Sequence, residues 1–361
     1  MSTDKIRVGI VGVSPNRGFA SIAHILALQA LSEFEITAVC TTQQESAEAA
    51  ARHFGVPLAF SDAEKLVQHP DVDLVTVSVK VPDHYLPVMA AIEAGKHIYC
   101  EWPLGRDTGE AARMLTAAER KGVRHAVGLQ GQVSPAINYA KDLIADGYIG
   151  RVLSATMIGC APNWGATIDR AYQADRTNGA SLLTITGGHT IDALRHCLGE
   201  FRELAAFVVS QRDHIPLEAT GEMIVKTSPD QVVVNGIVGV RGGMRRGTEF
   251  LFEIHGEEGD LQLTATSRAS MQRQELNLRG ARGEGSGLSD LPIPGKYRWV
   301  PEGVPPDSSY NVAQLYVRLA ECIRDDKPAS PGFNAAVTRH RLLDAIVRAS
   351  DTGMKQGMEG A

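Results

Sequence analysis

Short apolar runs alternate with helical stretches along the first third of the chain. "IRVGIVGV" (6–13) reads as a buried strand, and a helical pattern follows over 20–31. "EITAVC" (35–40) is the next strand, and "QESAEAAARHFG" is a helix closed by Gly55. "VDLVTVSV" (72–79) is a third strand, followed by a helix through "HYLPVMAAIEAG" that stops at Gly95. "HIYC" (97–100), the helix "TGEAARMLTAAERKG" and the strand "RHAVGL" complete the series. Apolar runs spaced by helices of about a dozen residues predict βαβ units and a parallel sheet.

The pattern changes near residue 150. A helix, "PAINYAKDLIADG", links the halves, and long alternating stretches follow: "RVLSATMIG", "ELAAFVVSQ", "GEMIVKT", "QVVVNGIVGV", "EFLFEIHG", "GDLQLTA" and "MQRQELNLR". Alternation at period two predicts an antiparallel sheet with one solvated or partner-covered face. One helix, about 180–198, interrupts the strands; "RGARGEGSGLSDLPIPG" (279–295) reads as a mobile loop; two helices, 309–325 and 334–350, close the chain. The expected architecture is an α/β domain with a doubly wound parallel sheet over 1–128. An α+β domain with a large, mostly antiparallel sheet follows over 129–361. "VVVNGIVGV" offers apolar side chains to both faces of that sheet, more than one helix layer covers, which predicts a homodimer or homotetramer.

The bulk numbers narrow the function. A length of 361 residues suits two domains better than one core. A net charge of -6 gives no electrostatic footprint for nucleic acid. No apolar run reaches the roughly 18–20 residues of a membrane helix. Cys40, Cys100, Cys160, Cys197 and Cys322 form no C-x-x-C pair and read as reduced thiols of a cytoplasmic protein. "MSTDKIRVGIVG" enters a strand almost at once, so no signal peptide is expected. No histidine or cysteine spacing suggests a metal site.

"VGIVGVSPNRGFASIAH" (8–24) stands between the first strand and the first helix, the context a dinucleotide fingerprint requires. Gly12 permits the tight turn, and Gly18 permits close approach of backbone to a diphosphate. The helix start, with Phe19, supplies N–H groups and a partial positive charge. The spacing is not G-x-G-x-x-G: Ser14 replaces the second glycine, and Pro15, Asn16 and Arg17 lengthen the loop. Arg17 is either a phosphate partner or a surface arginine. The second strand ends with Thr41 and Thr42, without the carboxylate that favours NAD and without an arginine for NADP, so both dinucleotides stay open.

The stretches "VSVKVPDHYLPVMAAIEAGKHIYCEWPLG" (77–105), "VGLQGQVSPAINYAKDLI" (127–144), "GGHTIDALRHCLG" (187–199) and "RHRLLDAIVRAS" (339–350) resemble the glucose–fructose oxidoreductase, inositol dehydrogenase and rhizopine catabolism (Gfo/Idh/MocA) family. The resemblance implies a nicotinamide-binding Rossmann domain. Val79, Pro82, His84, Glu101 and Trp102 would then lie along the cofactor, and Gln130 and His189 at the substrate. It also implies a second sheet whose open face packs on another subunit. Two positions depart from the family pattern. Trp102 stands where the family's E-K-P motif has its lysine, and an indole N–H donates but does not titrate usefully. Ile185 stands four residues before His189, where the family enzymes carry an aspartate. These departures, with "VGLQGQVSP" and "GHTID", look most like the galactose-pathway co-repressor branch.

Other candidates are weaker. Trp164, in "APNWGA", is either an apolar wall of a sugar site or a packing tryptophan. Tyr310 and Thr184 carry hydroxyls that are secondary candidates for proton transfer beside His189. "RGGMRRG" (241–247) reads as a solvated turn. Two functions follow: an NAD(P)-dependent oxidoreductase acting on a sugar, polyol or related small molecule, or a dinucleotide-binding regulator that contacts a protein partner.

Overall fold

The structure, a computed structural model, describes residues 5–15, 17–161, 164–235, 237–243, 248–267, 269–285 and 287–358. It divides into two compact units: residues 1–129 with 299–338, and residues 130–298 with 339–361. The first boundary, 129/130, lies about twenty residues before the change of sequence pattern near 150. Residues 299–338 depart from the expected division, which gave everything after 128 to the second domain. They carry the amphipathic helix whose apolar face completes the first core.

In the first unit the chain runs β1 (Ile6–Val11), a π-helical turn (Ala20–His24) continuing into α1 (Ile25–Ala30), β2 (Phe34–Cys40), α2 (Gln44–Phe54), β3 (Leu58–Phe60) and α3 (Ala63–Gln68). It goes on through β4 (Leu74–Val77), α4 (Tyr85–Glu93), β5 (His97–Cys100), α5 (Thr108–Lys121) and β6 (His125–Val127). Among the described residues the six strands pair in parallel in the order β3-β2-β1-β4-β5-β6. That order reverses between β1 and β4, the switch point beside which doubly wound sheets bind ligands. Val8, Ile10, Leu74, Val75 and Ile98 are fully buried, which is why these strands read as continuous apolar runs. The predicted strand 72–79 is shorter at both ends. β3 and α3 were not foreseen, because three half-buried residues and a six-residue helix leave little periodicity.

In the second unit α6 (Pro135–Ala145) leads into β7 (Val152–Ala161). A π-helical turn (Leu183–Gly187) runs straight into α7 (Gly188–Leu198), and β8 (Glu203–Leu204) follows. Next come β9 (Ala206–Val209), β10 (His214–Pro216), β11 (Met223–Val225), β12 (Gln231–Val234) and β13 (Val238–Gly242). The last strands of this run are β14 (Phe250–Gly256), β15 (Gly259–Ala265), β16 (Leu276–Arg282) and β17 (Ser289–Asp290). The helix α8 (Tyr310–Arg324) belongs to the first unit. α9 (Phe333–Thr352) begins there and ends in the second, and β18 (Gln356–Gly357) pairs with β8.

The large sheet has the order β17-β16-β15-β14-β7-β13-β12-β9, antiparallel except for β13 beside β7. One face is closed: Met157, Val232, Val234, Val238, Val240, Phe252, Ile254 and Leu263 are buried. Three expectations change here. "QVVVNGIVGV" is not one strand but the hairpin β12–β13, turning at Asn235 with φ +50°. Asn-Gly between apolar runs is a hairpin signal, and the alternation restarts after it. "GEMIVKT" pairs with β10 in a separate two-stranded sheet. The loop expected over 279–295 begins inside β16 and contains β17; Ser286 lies outside the described residues.

The segment joining β11 to β12 is held by a fully buried ion pair. Lys226 Nζ lies 3.0 Å from Asp230 Oδ2 and also donates to Ser210 Oγ and Ser228 O, each at 2.7 Å. Lys226→Met removes one partner and leaves a buried carboxylate, so a loss of about 3–5 kcal/mol of stability is expected. Chemical denaturation followed by circular dichroism measures it, and an unchanged midpoint contradicts the assignment.

Candidate functional site

In the first unit the predicted cofactor residues gather at the carboxyl ends of β1, β4 and β5. Gly12 follows β1 with φ +104°. A Cβ there would lie 2.4 Å from the Ser78 carbonyl oxygen and 2.7 Å from Val79 Cγ1. Its N–H donates to Cys40 O at 2.9 Å, so the ends of β1, β2 and β4 meet at this residue. Gly18 has φ +97° with open space around it, so conformation rather than crowding asks for glycine there. The Ser21 hydroxyl donates to the Ser14 carbonyl and folds the loop onto the helix that follows. Ser14 and Phe19 are half-buried and Arg17 is exposed; Asn16 lies outside the described residues. A glycine turn under strand ends, closed by a helix start, fits a dinucleotide diphosphate.

The other positions are arranged around this loop. The Thr41 hydroxyl donates to Gln43 O at 2.8 Å and meets Ser46, so it is tied to the start of α2, and Thr42 is exposed. Pro82 is half-buried in a 3₁₀ turn, Val81–Asp83. His84 is buried with Nδ1 2.9 Å from Pro103 O and Nε2 3.2 Å from Val79 O. Burial pushes its pKa down; both ring nitrogens face carbonyl oxygens, and a neutral ring donates to one of them. Trp102 is 5% exposed, and its peptide bond to Pro103 is cis. The Glu101 carboxylate lies over Gly128, where a Cβ would stand 2.6 Å from its Oε2.

Sequence reasoning missed the partners of Glu101. His24, Tyr316 and Thr76 come from the π-helical turn, α8 and β4 and form a buried polar chain leading to its carboxylate. The only local signal was a histidine on an otherwise apolar helix face; Tyr316 stands 292 positions away.

In the second unit α7 packs on β7 so closely that a Cβ at Gly159 would lie 2.3 Å from Thr190 Oγ1. The π-helical turn immediately precedes α7, and His189 is buried in the first turn of that helix. Such turns concentrate at functional sites. The Thr184 hydroxyl accepts the Ser181 N–H at 2.7 Å and so serves the helix entry. Ile185 is half-buried. Asp192 is buried between Gln132 Nε2 at 3.0 Å and Arg339 Nε at 3.3 Å. Burial pushes its carboxyl up against the pull of Arg339 and Arg195. Gln130 is buried in a 3₁₀ turn, Gln130–Val133, that packs on α7.

Trp164 is buried with φ +61°, unusual for so bulky a residue. Its loop crosses the β13 end through paired glycines: a Cβ at Gly165 would lie 2.2 Å from Gly243 Cα. Val240 reaches toward Gly187, and Gly242, two residues on, lies under Trp164. Trp164 and the π-helical turn before His189 therefore share the covered face of β13. Tyr310 is half-buried at the start of α8, in the first unit, whereas Thr184 and His189 belong to the second. Residues 244–247 of the basic turn, and Pro162 and Asn163 of the Trp164 loop, lie outside the described residues. Among the described residues no three metal-ligating side chains converge, and no helix is long and apolar enough to cross a membrane.

Comparison with known proteins follows the same division. Residues 6–129 match the GFO_IDH_MocA model, "Oxidoreductase family, NAD-binding Rossmann fold", and residues 135–265 match "Gal80p, C-terminal domain". The chain is 31% identical over 381 aligned positions to the dehydrogenase aclE of Aspergillus oryzae, covering 97% of each. It is 30% identical to the levoglucosan dehydrogenase of Pseudarthrobacter phenanthrenivorans, covering 74% of this chain and 75% of that one. A super-repressor mutant of Gal80p from Saccharomyces cerevisiae superposes with a TM-score of 0.85 at 26% identity, covering 99% of both chains.

Proposed function

The chain belongs to the Gfo/Idh/MocA oxidoreductase family, and from that premise we propose that it is an NAD(P)-dependent dehydrogenase acting at a hydroxyl or carbonyl carbon of a sugar, polyol or related small molecule. The observation that carries this reading is the Gly12 cradle, a strand-to-helix loop that a single Cβ would fill. The family model favours NAD over NADP, and Thr41 and Thr42 offer no guanidinium for a 2′-phosphate. A bound nicotinamide supplies the hydride chemistry; the chain supplies orientation and proton handling. His189 takes or gives the proton at the reacting oxygen, with Tyr310 and Thr184 as secondary candidates. Trp102 shapes the pocket in place of the family lysine, and Gln130 and Trp164 contact substrate. Calorimetry with oxidised and reduced NAD and NADP, followed by a sugar and polyol panel read at the nicotinamide absorbance, tests the reading. No heat at millimolar dinucleotide sinks it.

A second reading is a dinucleotide-binding regulator with a protein partner and no turnover. The Gal80p-type C-terminal match favours it, as do Trp102 and Ile185 at two positions where the family enzymes carry titratable groups. Turnover of any panel member decides against it. All five cysteines are free, in keeping with a cytoplasmic protein.

The open face of the large sheet supports a homo-oligomer. Phe207, Val233, Gly239, Ile158 and Leu251 lie in one cross-strand row over five strands. Phe207 is 59% and Val233 44% exposed within one chain. Light scattering is expected to give a dimer or tetramer at micromolar concentration, and Phe207→Asp with Val233→Asp to shift it toward monomer. A monomeric wild type contradicts this.

A further inference from the structure

The buried chain behind Glu101 has a direction. Thr76 Oγ1 lies 2.7 Å from Tyr316 OH, Tyr316 OH 2.9 Å from His24 Nδ1, and His24 Nε2 3.0 Å from Glu101 Oε1. Thr76, His24 and Tyr316 are fully buried, and Tyr99 and Phe34 pack against them, whereas the Glu101 side chain keeps 13% exposure. Burial holds the Tyr316 phenol well above its ordinary range, so it stays a donor. A carboxylate only accepts, so a neutral His24 carries its proton on Nε2 and takes the Tyr316 hydrogen bond on Nδ1. The Thr76 hydroxyl then donates to the phenol oxygen. Each donor points one step closer to Glu101, an arrangement that favours the ionised carboxylate.

We infer that Glu101, fixed by His24 and Tyr316 as positioning residues, makes the dinucleotide site prefer the oxidised over the reduced nicotinamide. This rests on the dinucleotide reading above and holds with or without turnover. Glu101 directly follows β5, which adjoins β4 beside the β1/β4 switch point, and ligands of such sheets bind outside the carboxyl ends of the strands. The oxidised ring carries a positive charge that the reduced ring lacks. A carboxylate in the wall attracts one and is indifferent to the other. Among the described residues, groups that face Glu101 include His24 from the first helix, His84 from the start of α4, Cys100 from its own strand and Tyr316 from α8. Burial pushes the His84 imidazole down and the Cys100 thiol and Tyr316 phenol up, so these three stay uncharged beside the carboxylate.

The test is the ratio of NADH to NAD⁺ dissociation constants, measured by calorimetry at pH 8. The wild-type ratio is expected to exceed one, and Glu101→Gln to lower it about tenfold. Tyr316→Phe removes the donor to His24 Nδ1 and loosens the hold on Glu101, so the ratio falls part of the way toward that of Glu101→Gln. A merely structural tyrosine changes both affinities alike and leaves the ratio in place. A wild type that binds NADH at least as tightly as NAD⁺ overturns the inference even if Glu101→Gln does not fold, and so does an unchanged ratio in a folded Glu101→Gln. Failure of the wild type to bind either dinucleotide overturns the dinucleotide reading and this inference together.

Discussion

Gly12→Ala will lower dinucleotide affinity on the order of a hundredfold, whereas Gly18→Ala will cost only a few-fold. Both glycines have φ near +100°, where an L side chain is strained by about 1–3 kcal/mol. They differ in what surrounds them. At Gly12 the added Cβ meets the Ser78 carbonyl, and backbone cannot swing aside as a side-chain tip does. Relief requires the loops after β1 and β4 to part, and these are the walls of the proposed dinucleotide site. At Gly18 the new methyl points into open space and only the conformational strain remains. Each 1.4 kcal/mol is tenfold in affinity, so strain near the lower end of that range stays below one decade at position 18, and displacement of the Ser78 carbonyl added to strain reaches two at position 12. Calorimetry gives both values, with thermal unfolding to confirm the fold. Wild-type affinity in Gly12→Ala would remove the loop from the site.

The second large effect is expected at His189. His189→Ala should lower kcat by about 10²–10⁴-fold, the contribution of a positioned acid or base. Trp102→Phe should keep most activity, because shape and apolar area survive the exchange. Trp102→Lys tests the regulator reading: it returns a titratable amine to the E-K-P position, and without a carboxylate at 185 only a trace of turnover is expected. Rates on whichever panel member the wild type accepts give the first two values, and the whole panel gives the third. A fully active His189→Ala enzyme would refute the assignment and move proton transfer to Tyr310 or to bound water.

The strands of the first sheet were legible because burial on both faces writes them as unbroken apolar runs, and Gly12 because it stands between such a run and a helix. Trp102 and Ile185 stood out by contrast with a family pattern. The hairpin at Asn235 was misread: its two strands are both valine-rich, and the Asn-Gly turn between them was passed over. What stayed hidden was pairing over distance. His24 with Glu101 and Lys226 with Asp230 are pairs whose members are buried or nearly so, yet no periodicity reports burial of a charged or titratable group. Thr184 was legible as a hydroxyl near His189, but not as one already engaged by the Ser181 N–H. The π-helical turns escaped for the same reason as β3, since five residues hold too little of a period.

Residues 299–338 have a consequence for how the protein is made. Tyr316, against which Tyr99, Phe34 and His24 pack, is translated more than two hundred residues after the last of these three is translated. Val312, Leu315 and Leu319 of the same helix are equally buried and equally late. The first unit therefore emerges early with its core open on one side, and the second unit is synthesised almost whole before that opening closes. A chaperone that binds exposed aromatic and aliphatic surface has a window of about half the elongation time. A fragment released at residue 129 contains the sequence of all six strands but none of the helix that seals their core.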